Sequence, residues 1–257
     1  MDLRQTFNED VLNYDKMRPT YVKELYDDII KFTGLDLNKK ALEIGIGTGQ
    51  ATAPFLSTSC KVSAIELGKD LAEFSKEKFS KYKNFDIVNN DFESTTFEED
   101  FFELIYSATA FHWIPQDVGY TKAFQLLKSN GVLALFWNHP SVPEDKLHFE
   151  MQKVYDKYWS PSDKKSTVHK FSVDNCLDIV RTINQYGFID VNYKLYHQVR
   201  LFDAESYISL LNTYSDHRAL QEDKRKLLEI DMIDVINNNG GQVDIHDTMD
   251  LYLARKQ

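Results

Sequence analysis

The sequence predicts an α/β protein built on a doubly wound, mostly parallel sheet, and three observations support this fold class. Short apolar runs alternate with helical patterns from residue 41 to residue 138. Such alternation places parallel strands in one sheet with helices on both faces. Three glycines, Gly45, Gly47 and Gly49, follow the first of these runs. The 257 residues, 42% of them hydrophobic, are enough for one such domain with additional helices.

The regular elements of this first part follow from their apolar spacing. Between Pro19 and Phe32 apolar residues recur on one helical face and Gly34 follows, so we expect an opening helix. Two later helices are predicted by apolar stripes that begin at Leu71 and at Tyr120. Five strands are predicted at residues 41–45, 61–67, 85–89, 103–108 and 132–138.

The regular alternation of strands and helices stops after Asn138. Helices are predicted at about residues 147–158, 174–186 and 204–238, and two further strands at 188–202 and 249–254. We therefore expect a single domain that spans residues 1–257. Its core is expected to comprise residues 38–138, 188–202 and 242–257, and a helical cap is expected to comprise residues 1–34, 139–187 and 203–241.

Composition narrows the classes of partner and compartment. The formal net charge is −10, the wrong sign for attracting a phosphate backbone over a broad surface, so we expect no nucleic-acid partner unless a local basic groove exists. Cys60 and Cys176 show neither paired nor CxxC spacing, which favours a reducing, cytoplasmic setting. No apolar run has the length of a signal-peptide core or a membrane span, so no membrane partner is expected. The oligomeric state stays open.

The strongest local motif is the turn from Glu43 to Gly49, Glu-Ile-Gly-Ile-Gly-Thr-Gly, where a buried strand passes into a helix. Glycine permits a tight turn and lets a ligand approach main-chain atoms that a Cβ would shield. The pattern indicates a nucleotide-like ligand, although glycine-rich turns between strand and helix also occur for packing alone.

Acidic residues end the next two predicted strands. Glu66 lies about 20 residues after Gly45, the offset at which an acid accepts hydrogen bonds from ribose hydroxyls in doubly wound folds. Asp91 and Phe92 follow the third strand and suit an exocyclic amine and a purine face. The alternatives are a solvated glutamate and an aspartate that caps the next segment. Positions at successive strand ends, where open α/β sheets bind ligands, favour a common site.

Two other nucleotide-binding motifs do not fit. The nicotinamide dinucleotide motif, G-x-G-x-x-G/A, requires glycine or alanine where this chain has Gln50, so a nicotinamide-dependent oxidoreductase is disfavoured. The phosphate-binding motif G-x-x-x-x-G-K-[ST] is also missing from the sequence. Instead, residues 43–49 resemble the E/D-x-G-x-G-x-G motif of class I S-adenosylmethionine-dependent methyltransferases. Glu66 and Asp91-Phe92 stand where that family has its ribose-binding and adenine-binding motifs.

Further segments resemble the small-molecule branch of that family that includes trans-aconitate methyltransferase. Residues 107–113 are similar to its S-x-x-A-x-H-W segment, and Tyr14, Arg18 and Pro19 are similar to its N-terminal Y-x-x-x-R-P. Residues 213–215 also resemble a recurrent feature of the group. The resemblance implies a seven-stranded Rossmann-like sheet with an antiparallel last strand. It also implies methyl transfer from S-adenosylmethionine to a small molecule, for which the closest analogy is a carboxylate.

The resemblance implies a set of site residues as well. The cofactor-binding residues would be Tyr14, Arg18, Glu43, Gly45, Gly47, Gly49, Glu66, Leu67, Asp91, Phe92 and Ser107. Glu66 would accept hydrogen bonds from the ribose hydroxyls, Asp91 and Phe92 would contact the adenine, and Glu43 would organise the amino end of the cofactor. Arg18 would close over the cofactor carboxylate, the alternative being an ordinary surface arginine.

His112 is the titratable candidate nearest the transferred methyl group. It would act as a general base, or it would form a polar and aromatic wall of the acceptor pocket with Trp113. Tyr214 is expected in the same pocket. The other histidines lack the spacing of metal ligands, so no metal site is expected. A non-catalytic protein that senses S-adenosylmethionine would carry the same motifs and is the alternative to an enzyme.

Overall fold

The computed structural model describes residues 10–159 and 171–257. The chain divides into two compact units. The larger unit comprises residues 19–138, 172–196 and 249–257. The smaller unit comprises residues 1–18, 139–171 and 197–248, as far as these are described.

Seven strands form one sheet, which confirms the predicted fold class. The strands are β1 (Lys40–Ile44), β2 (Lys61–Glu66), β3 (Phe85–Asn89), β4 (Phe102–Ala108), β5 (Leu127–Ser141), β6 (Ile189–Asp203) and β7 (Gln242–Arg255). Their order in the sheet is β3-β2-β1-β4-β5-β7-β6. β1 pairs in parallel with β2 and β4, β2 with β3, and β4 with β5. The strand order reverses between β1 and β4, and open α/β sheets bind ligands beyond the carboxyl ends of strands at such a point. The antiparallel direction expected for the last strand stays a prediction.

Ten helices lie in the described ranges. They are α1 (Val11–Met17), α2 (Lys23–Thr33), α3 (Thr52–Leu56), α4 (Lys69–Lys78), α5 (Gln116–Leu126), α6 (Lys146–Tyr158), α7 (Val173–Gln185), α8 (Ala204–Leu211), α9 (Ser215–Arg218) and α10 (Glu222–Asn238). α2 ends at Gly34, whose φ is 59° and whose N–H donates to the carbonyl of Ile30, as the position of this glycine predicts. None of the helices in the described part of the chain combines the length and the apolar character needed to cross a lipid bilayer.

The core of the larger unit lies between α2 and the sheet. Leu25 and Ile29 on α2 are fully buried in one cluster with Ala41 of β1 and Leu104 of β4. Burying a leucine or isoleucine side chain contributes about 1.5–3 kcal/mol. This packing fixes β1, at whose carboxyl end the glycine turn begins.

The smaller unit has its own apolar core and a buried ion pair. Leu228 and Met232 of α10 are fully buried in a cluster with Met151 of α6. Arg200 of β6 donates from Nη2 to Oδ1 of Asp247 on β7 at 3.0 Å, and Asp247 is buried. Because a buried carboxylate requires a partner, this pair links the two strands.

Several boundaries differ from the sequence prediction. The apolar spacing does not predict α1, because it buries only Met17 and leaves Leu12 exposed. β7 begins seven residues before the predicted strand, because Asp247 occupies an inward position that apolar patterning does not identify. Residues 19–34 and 172–187, expected in the cap, lie in the larger unit, where α2 and α7 bury their apolar faces.

Candidate cofactor-binding site

The glycine turn lies between β1 and α3 in the larger unit. Gly45, Gly47 and Gly49 have φ angles of 72°, 58° and 81°, in the region that L side chains rarely adopt. A Cβ on Gly45 would lie 2.5 Å from the Cβ of Ala110, and a Cβ on Gly49 would overlap the ring of Phe79. Two of the three glycines are therefore required by the packing of the protein itself, in addition to any ligand.

Helix α4 holds the carbonyl groups of this turn. The Ser75 hydroxyl donates to the carbonyl oxygen of Gly47 at 2.8 Å, and the Lys78 ammonium donates to that of Thr48 at 2.9 Å. Ser75 is fully buried. Sequence reasoning missed both side chains, because a serine and a lysine in an amphipathic helix carry no local signal of such a role.

Glu66 lies at the carboxyl end of β2 and joins two turns. Its Oε2 accepts a hydrogen bond from the N–H of Gly47 and its Oε1 one from the N–H of Gly68, both at 2.8 Å. Burial raises the pKa of this carboxyl, although the backbone N–H groups oppose that effect. A carboxylate can accept more hydrogen bonds than these backbone groups donate, so Glu66 retains capacity for a hydroxyl donor. The predicted ribose-binding acid therefore lies directly against the glycine turn.

Glu43 on β1 is enclosed by protein groups and is 1% exposed. Its Oε2 accepts hydrogen bonds from the hydroxyls of Thr52, at 2.7 Å, and Tyr106, at 2.8 Å. Burial raises the pKa of Glu43 to about 8, while the two hydroxyls act in the opposite direction. The carboxyl is therefore mostly protonated at pH 7, and it anchors the start of α3 to β1 and β4.

The segment after β3 carries Asp91 and Phe92 and is held by Lys122 of α5. The Lys122 ammonium donates to the carbonyl oxygens of Phe92 and of two residues that follow it, at 2.7, 3.0 and 2.5 Å, and lies 5.1 Å from the centre of the Phe92 ring. Asp91 Oδ1 accepts the N–H of Ser94 at 2.5 Å, so this side chain caps its own turn. Phe92 is 3% exposed. Lys122 has no sequence signal, because a lone lysine on a helix usually lies in solvent.

Leu67 and Ser107 both take part in hydrogen bonds that tie neighbouring strands together. The side-chain amide of Asn89 donates to the carbonyl oxygens of Glu66 and Leu67 at 2.8 and 3.0 Å, which ties the end of β3 to the end of β2. The Ser107 hydroxyl donates to the carbonyl oxygen of Ile44 at 2.8 Å, and its side chain is fully buried. Its hydroxyl thus serves the pairing of β4 with β1.

His112 lies in a short 3-10 turn, residues 111–113, that follows β4, and it is exposed. The indole Nε1 of Trp137 on β5 donates to His112 Nδ1 at 3.0 Å. The rings of His112 and Trp113 are 5.0 Å apart. An indole N–H only donates, so Nδ1 is an acceptor and the neutral imidazole carries its proton on Nε2. Sequence reasoning identifies Trp137 only as a strand residue.

Tyr14, Arg18 and Tyr214 come together in the smaller unit. The Arg18 guanidinium lies 5.1 Å from the centre of the Tyr14 ring and 4.8 Å from that of Tyr214. Its Nη2 donates to the carbonyl oxygen of Thr213 at 3.3 Å. The motif around Arg18 and the segment 213–215 are thus in contact, although Arg18 and Thr213 lie 195 positions apart. The roles expected of these residues toward a ligand stay predictions.

The groups around the glycine turn fit a ribose-bearing cofactor. The Glu66 carboxylate retains capacity to accept a hydrogen bond from a hydroxyl, and the turn that it holds contains glycines with positive φ angles. Across residues 10–159 and 171–257, no cluster of three or more histidine, cysteine, aspartate or glutamate side chains could hold a metal ion.

Comparison with known sequences gives a family match for the central part of the chain. Residues 42–135 match the family model described as a methyltransferase domain. An uncharacterized methyltransferase from Schizosaccharomyces pombe is 22% identical over 261 residues, which cover 98% of this chain and 97% of the relative. Ribosomal RNA small subunit methyltransferase A from Fusobacterium nucleatum is 34% identical over 68 residues, which cover 26% of each chain.

Comparison with solved structures gives the same fold. Phosphoethanolamine N-methyltransferase 2 from Haemonchus contortus, solved with phosphomonomethylethanolamine and S-adenosylhomocysteine, has a TM-score of 0.59 at 13% identity, covering 100% of this chain and 60% of that chain. The matched family model runs from β1 to β5 and therefore includes the strands that position Glu66 against the glycine turn. The protein is an S-adenosylmethionine-dependent methyltransferase.

Proposed function

We propose that this methyltransferase acts on a small organic acid and methylates a carboxylate oxygen. The hydrogen bond from Trp137 to His112 carries the proposal. With Nδ1 engaged and the proton on Nε2, neutral His112 has no lone pair available to remove a proton from an acceptor. A carboxylate needs no deprotonation, and the Nε2–H group of His112 can donate a hydrogen bond to it. This geometry favours a role of His112 in the wall of the acceptor pocket over a role as general base.

We propose that residues of the larger unit make the contacts with the cofactor. Glu66 accepts hydrogen bonds from the ribose hydroxyls, and the segment of Asp91 and Phe92, fixed by Lys122, contacts the adenine. Glu43 is protonated and enclosed, so it positions the amino end of the cofactor indirectly, through the residues that surround Glu43.

Methyl transfer requires little of the protein beyond positioning the donor and the acceptor. S-adenosylmethionine supplies a methyl group that its sulfonium already activates. The residues of the site hold donor and acceptor in line, and orientation of this kind removes about 7–11 kcal/mol from a barrier. A carboxylate oxygen forms a bond to the methyl carbon as the carbon–sulfur bond breaks, which yields a methyl ester and S-adenosylhomocysteine.

Two further observations support a small acceptor. The formal charge of −10 opposes binding of a phosphate backbone, and the match to the ribosomal RNA enzyme is confined to 26% of the chain. The Haemonchus contortus enzyme of the same fold was solved with phosphomonomethylethanolamine, a small molecule. RNA is the competing acceptor that this partly matched relative introduces.

The test combines binding with transfer. Calorimetric titration with S-adenosylhomocysteine should give a single site. Release of S-adenosylhomocysteine from S-adenosylmethionine should then be measured with carboxylic acids including trans-aconitate, with phenols, with amines and with RNA. We expect turnover with acids and a rate independent of pH between about 6 and 7, where the acceptor carboxylate is ionised and Glu43 stays mostly protonated. Turnover only with phenols, amines or RNA would contradict the carboxylate proposal, and binding without any turnover would indicate a sensor.

A further inference from the structure

A cleft of about 510 Å³ opens within the larger unit, between α2 and the edge of the sheet that β7 and β6 form. The residues that line it include Asp28, Lys31 and Phe32 of α2, Lys194 of β6, and Leu253 and Arg255 of β7. Cavities of about 300–1,000 Å³ are typical of sites that bind small molecules. Sequence reasoning missed the cleft, because its walls come from three segments that are far apart in the chain.

The cleft carries more positive than negative charge, although the formal net charge of the whole chain is −10. Its cationic residues are Lys31, Lys194 and Arg255, and its carboxylate is Asp28. Asp28 Oδ2 accepts hydrogen bonds from the Lys194 ammonium and the Tyr196 hydroxyl, both at 2.5 Å. Burial acts to raise the pKa of Asp28, but these hydrogen bonds outweigh burial and lower it. Asp28 is therefore ionised and offsets Lys194, which leaves the positive charges of Lys31 and Arg255.

Arg255 retains hydrogen-bond donors for a ligand. Its Nη1 donates to the carbonyl oxygen of Asn130 at 3.0 Å and its Nη2 to that of Phe32 at 2.7 Å. Carbonyl oxygens do not neutralise the charge, and a guanidinium has more N–H groups than these two bonds use. Arginine binds carboxylate and phosphate groups through such N–H groups, so Arg255 suits an anionic ligand.

An apolar wall lies beside these cations. Leu251 and Leu253 line the cleft and belong to the core cluster of the larger unit, and the Phe32 ring packs against the same cluster. The Arg255 guanidinium lies 4.2 Å from the centre of the Phe32 ring. Because the core holds these side chains, the wall is already formed. Apolar walls with a few charged groups are typical of sites for small molecules that combine an apolar body with a polar end.

The cleft and the glycine turn lie at opposite edges of the sheet. Arg255 is hydrogen-bonded to Asn130 near the amino end of β5, whereas the glycine turn follows the carboxyl end of β1. β1 pairs in parallel with β4, and β4 with β5, so the amino ends of all three strands lie at one edge. A ligand in the cleft therefore leaves the turn that Glu66 holds accessible.

We propose that this cleft is a second ligand site, which binds a small organic anion with a flat or apolar body. Arg255 and Lys31 bind the anionic group, which is a carboxylate or a phosphate monoester. Phe32 and Leu253 contact the body. Since none of these residues lies at the glycine turn, the site is independent of the methyl acceptor.

The competing explanation assigns the cations to the fold alone. The hydrogen bond from Arg255 to the carbonyl oxygen of Phe32 satisfies the last turn of α2 and requires no ligand. Lys31 separates the two explanations. Within residues 10–159 and 171–257 its exposed side chain forms no hydrogen bond or ion pair, so its charge can be removed without loss of a structural contact.

Titration of the full chain with naphthoate provides the first test. The protein is first saturated with S-adenosylhomocysteine, and we expect calorimetry to show one further site whose affinity falls as salt rises. Naphthyl phosphate should bind as well, and the tighter of the two probes identifies the preferred anionic group. Uncharged naphthylmethanol should bind about tenfold more weakly or less. Equal binding of naphthylmethanol, displacement of naphthoate by S-adenosylhomocysteine, or no saturable binding of either anion would overturn the proposal.

Variants of the two cations provide the second test. The Kd for naphthoate should rise roughly twofold to fivefold in Lys31→Gln, whose charge is exposed, and about tenfold to a hundredfold in Arg255→Gln. Arg255→Lys keeps the charge and should recover part of the loss. Lys23→Gln makes the same charge change on α2, at an exposed ion pair with Asp27 outside the cleft, and should bind like the wild type. Wild-type affinity in both Lys31→Gln and Arg255→Gln would contradict the site.

Methyl spectra of the wild type locate the probe without any substitution in the cleft. With the full chain labelled at leucine methyl groups, the ring current of naphthoate should shift the methyl signals of Leu253. Shifts confined to leucines outside the cleft, such as Leu67 next to Glu66, would place naphthoate elsewhere and overturn the proposal. A protein that binds naphthoate in the cleft but methylates no acid would leave this site standing and contradict only the proposed function.

Discussion

Trp137 donates its indole N–H to Nδ1 of His112 at 3.0 Å, although the two residues lie 25 positions apart. The contact forms because His112 follows β4 and Trp137 belongs to β5, which pairs with β4 in parallel. A strand neighbour thereby selects which nitrogen of the imidazole carries the proton. Trp137 is a positioning residue, and His112 is the group that it orients.

Replacing Trp137 by phenylalanine should free the tautomer of His112. The substitution keeps an aromatic ring and removes the N–H donor, so the proton is expected to distribute over both nitrogens, which nitrogen-15 spectra measure directly. A lost neutral hydrogen bond of about 0.5–1.5 kcal/mol corresponds to a roughly twofold to tenfold fall in kcat.

The control for this prediction is a double-mutant cycle. If Trp137 acts through His112, Trp137→Phe should have little further effect on kcat in a His112→Ala background. Additive losses, or an unchanged tautomer in Trp137→Phe, would contradict the positioning role.

Replacing Glu66 by glutamine should weaken cofactor binding. One carboxylate oxygen now accepts from Gly47 and the other from Gly68, and an amide can accept through only one of its two atoms. Hydrogen bonds to charged groups contribute about 1.5–3 kcal/mol, so the Kd for S-adenosylhomocysteine should rise about tenfold to a hundredfold in calorimetry. Glu77→Gln, at an exposed glutamate of α4, is the matched control. If Glu66→Gln and the wild type bound S-adenosylhomocysteine with equal affinity, Glu66 would not be a cofactor-binding residue.

Replacing Gly49 by alanine should destabilise the protein more than the same change at Gly241. Both glycines have similar φ angles, 81° and 74°, so both variants incur the left-handed cost of about 1–2 kcal/mol. A Cβ at Gly49 also overlaps Phe79, whereas nothing lies within 4 Å of one at Gly241. Overpacking adds about 1–3 kcal/mol, which urea unfolding should detect. Equal losses would show that the overlap is relieved at no cost.

Glu43 should make the stability of the protein depend on pH. Its pKa is about 8 in the folded chain, against an ordinary value of 4.5 for a glutamate, so between these limits the folded state holds a proton that the unfolded state has lost. The free energy of unfolding therefore falls as pH rises through this window, by up to about 1.4 kcal/mol per pH unit, and the contribution of Glu43 levels off above pH 8.

Urea unfolding at several pH values from 5.5 to 8.5 tests this dependence. Glu43→Gln cannot titrate, so its stability should fall less steeply with pH than that of the wild type. Parallel curves for the two proteins would mean that Glu43 titrates normally in the folded chain.

Much of the site could be predicted because its signals are local. Glycines at alternate positions after an apolar strand predict a turn with positive φ angles, and the structure has those angles at Gly45 and Gly49. The partners of the same glycines were not predictable. Ala110 and Phe79 come within range of their missing Cβ atoms only after β4 and α4 have packed beside the turn.

The sequence by itself determined the alternation of strands and helices, the glycine turn, and the acids Glu66 and Asp91 at the strand ends. Periodicity and backbone freedom act over a few residues, so the printed order of residues is sufficient to read them. Only the tertiary structure decided that Trp137 sets the tautomer of His112 and that Lys122 holds the segment of Phe92. These are hydrogen bonds between elements far apart in the chain, and they exist only once the sheet and its helices have brought donor and acceptor together.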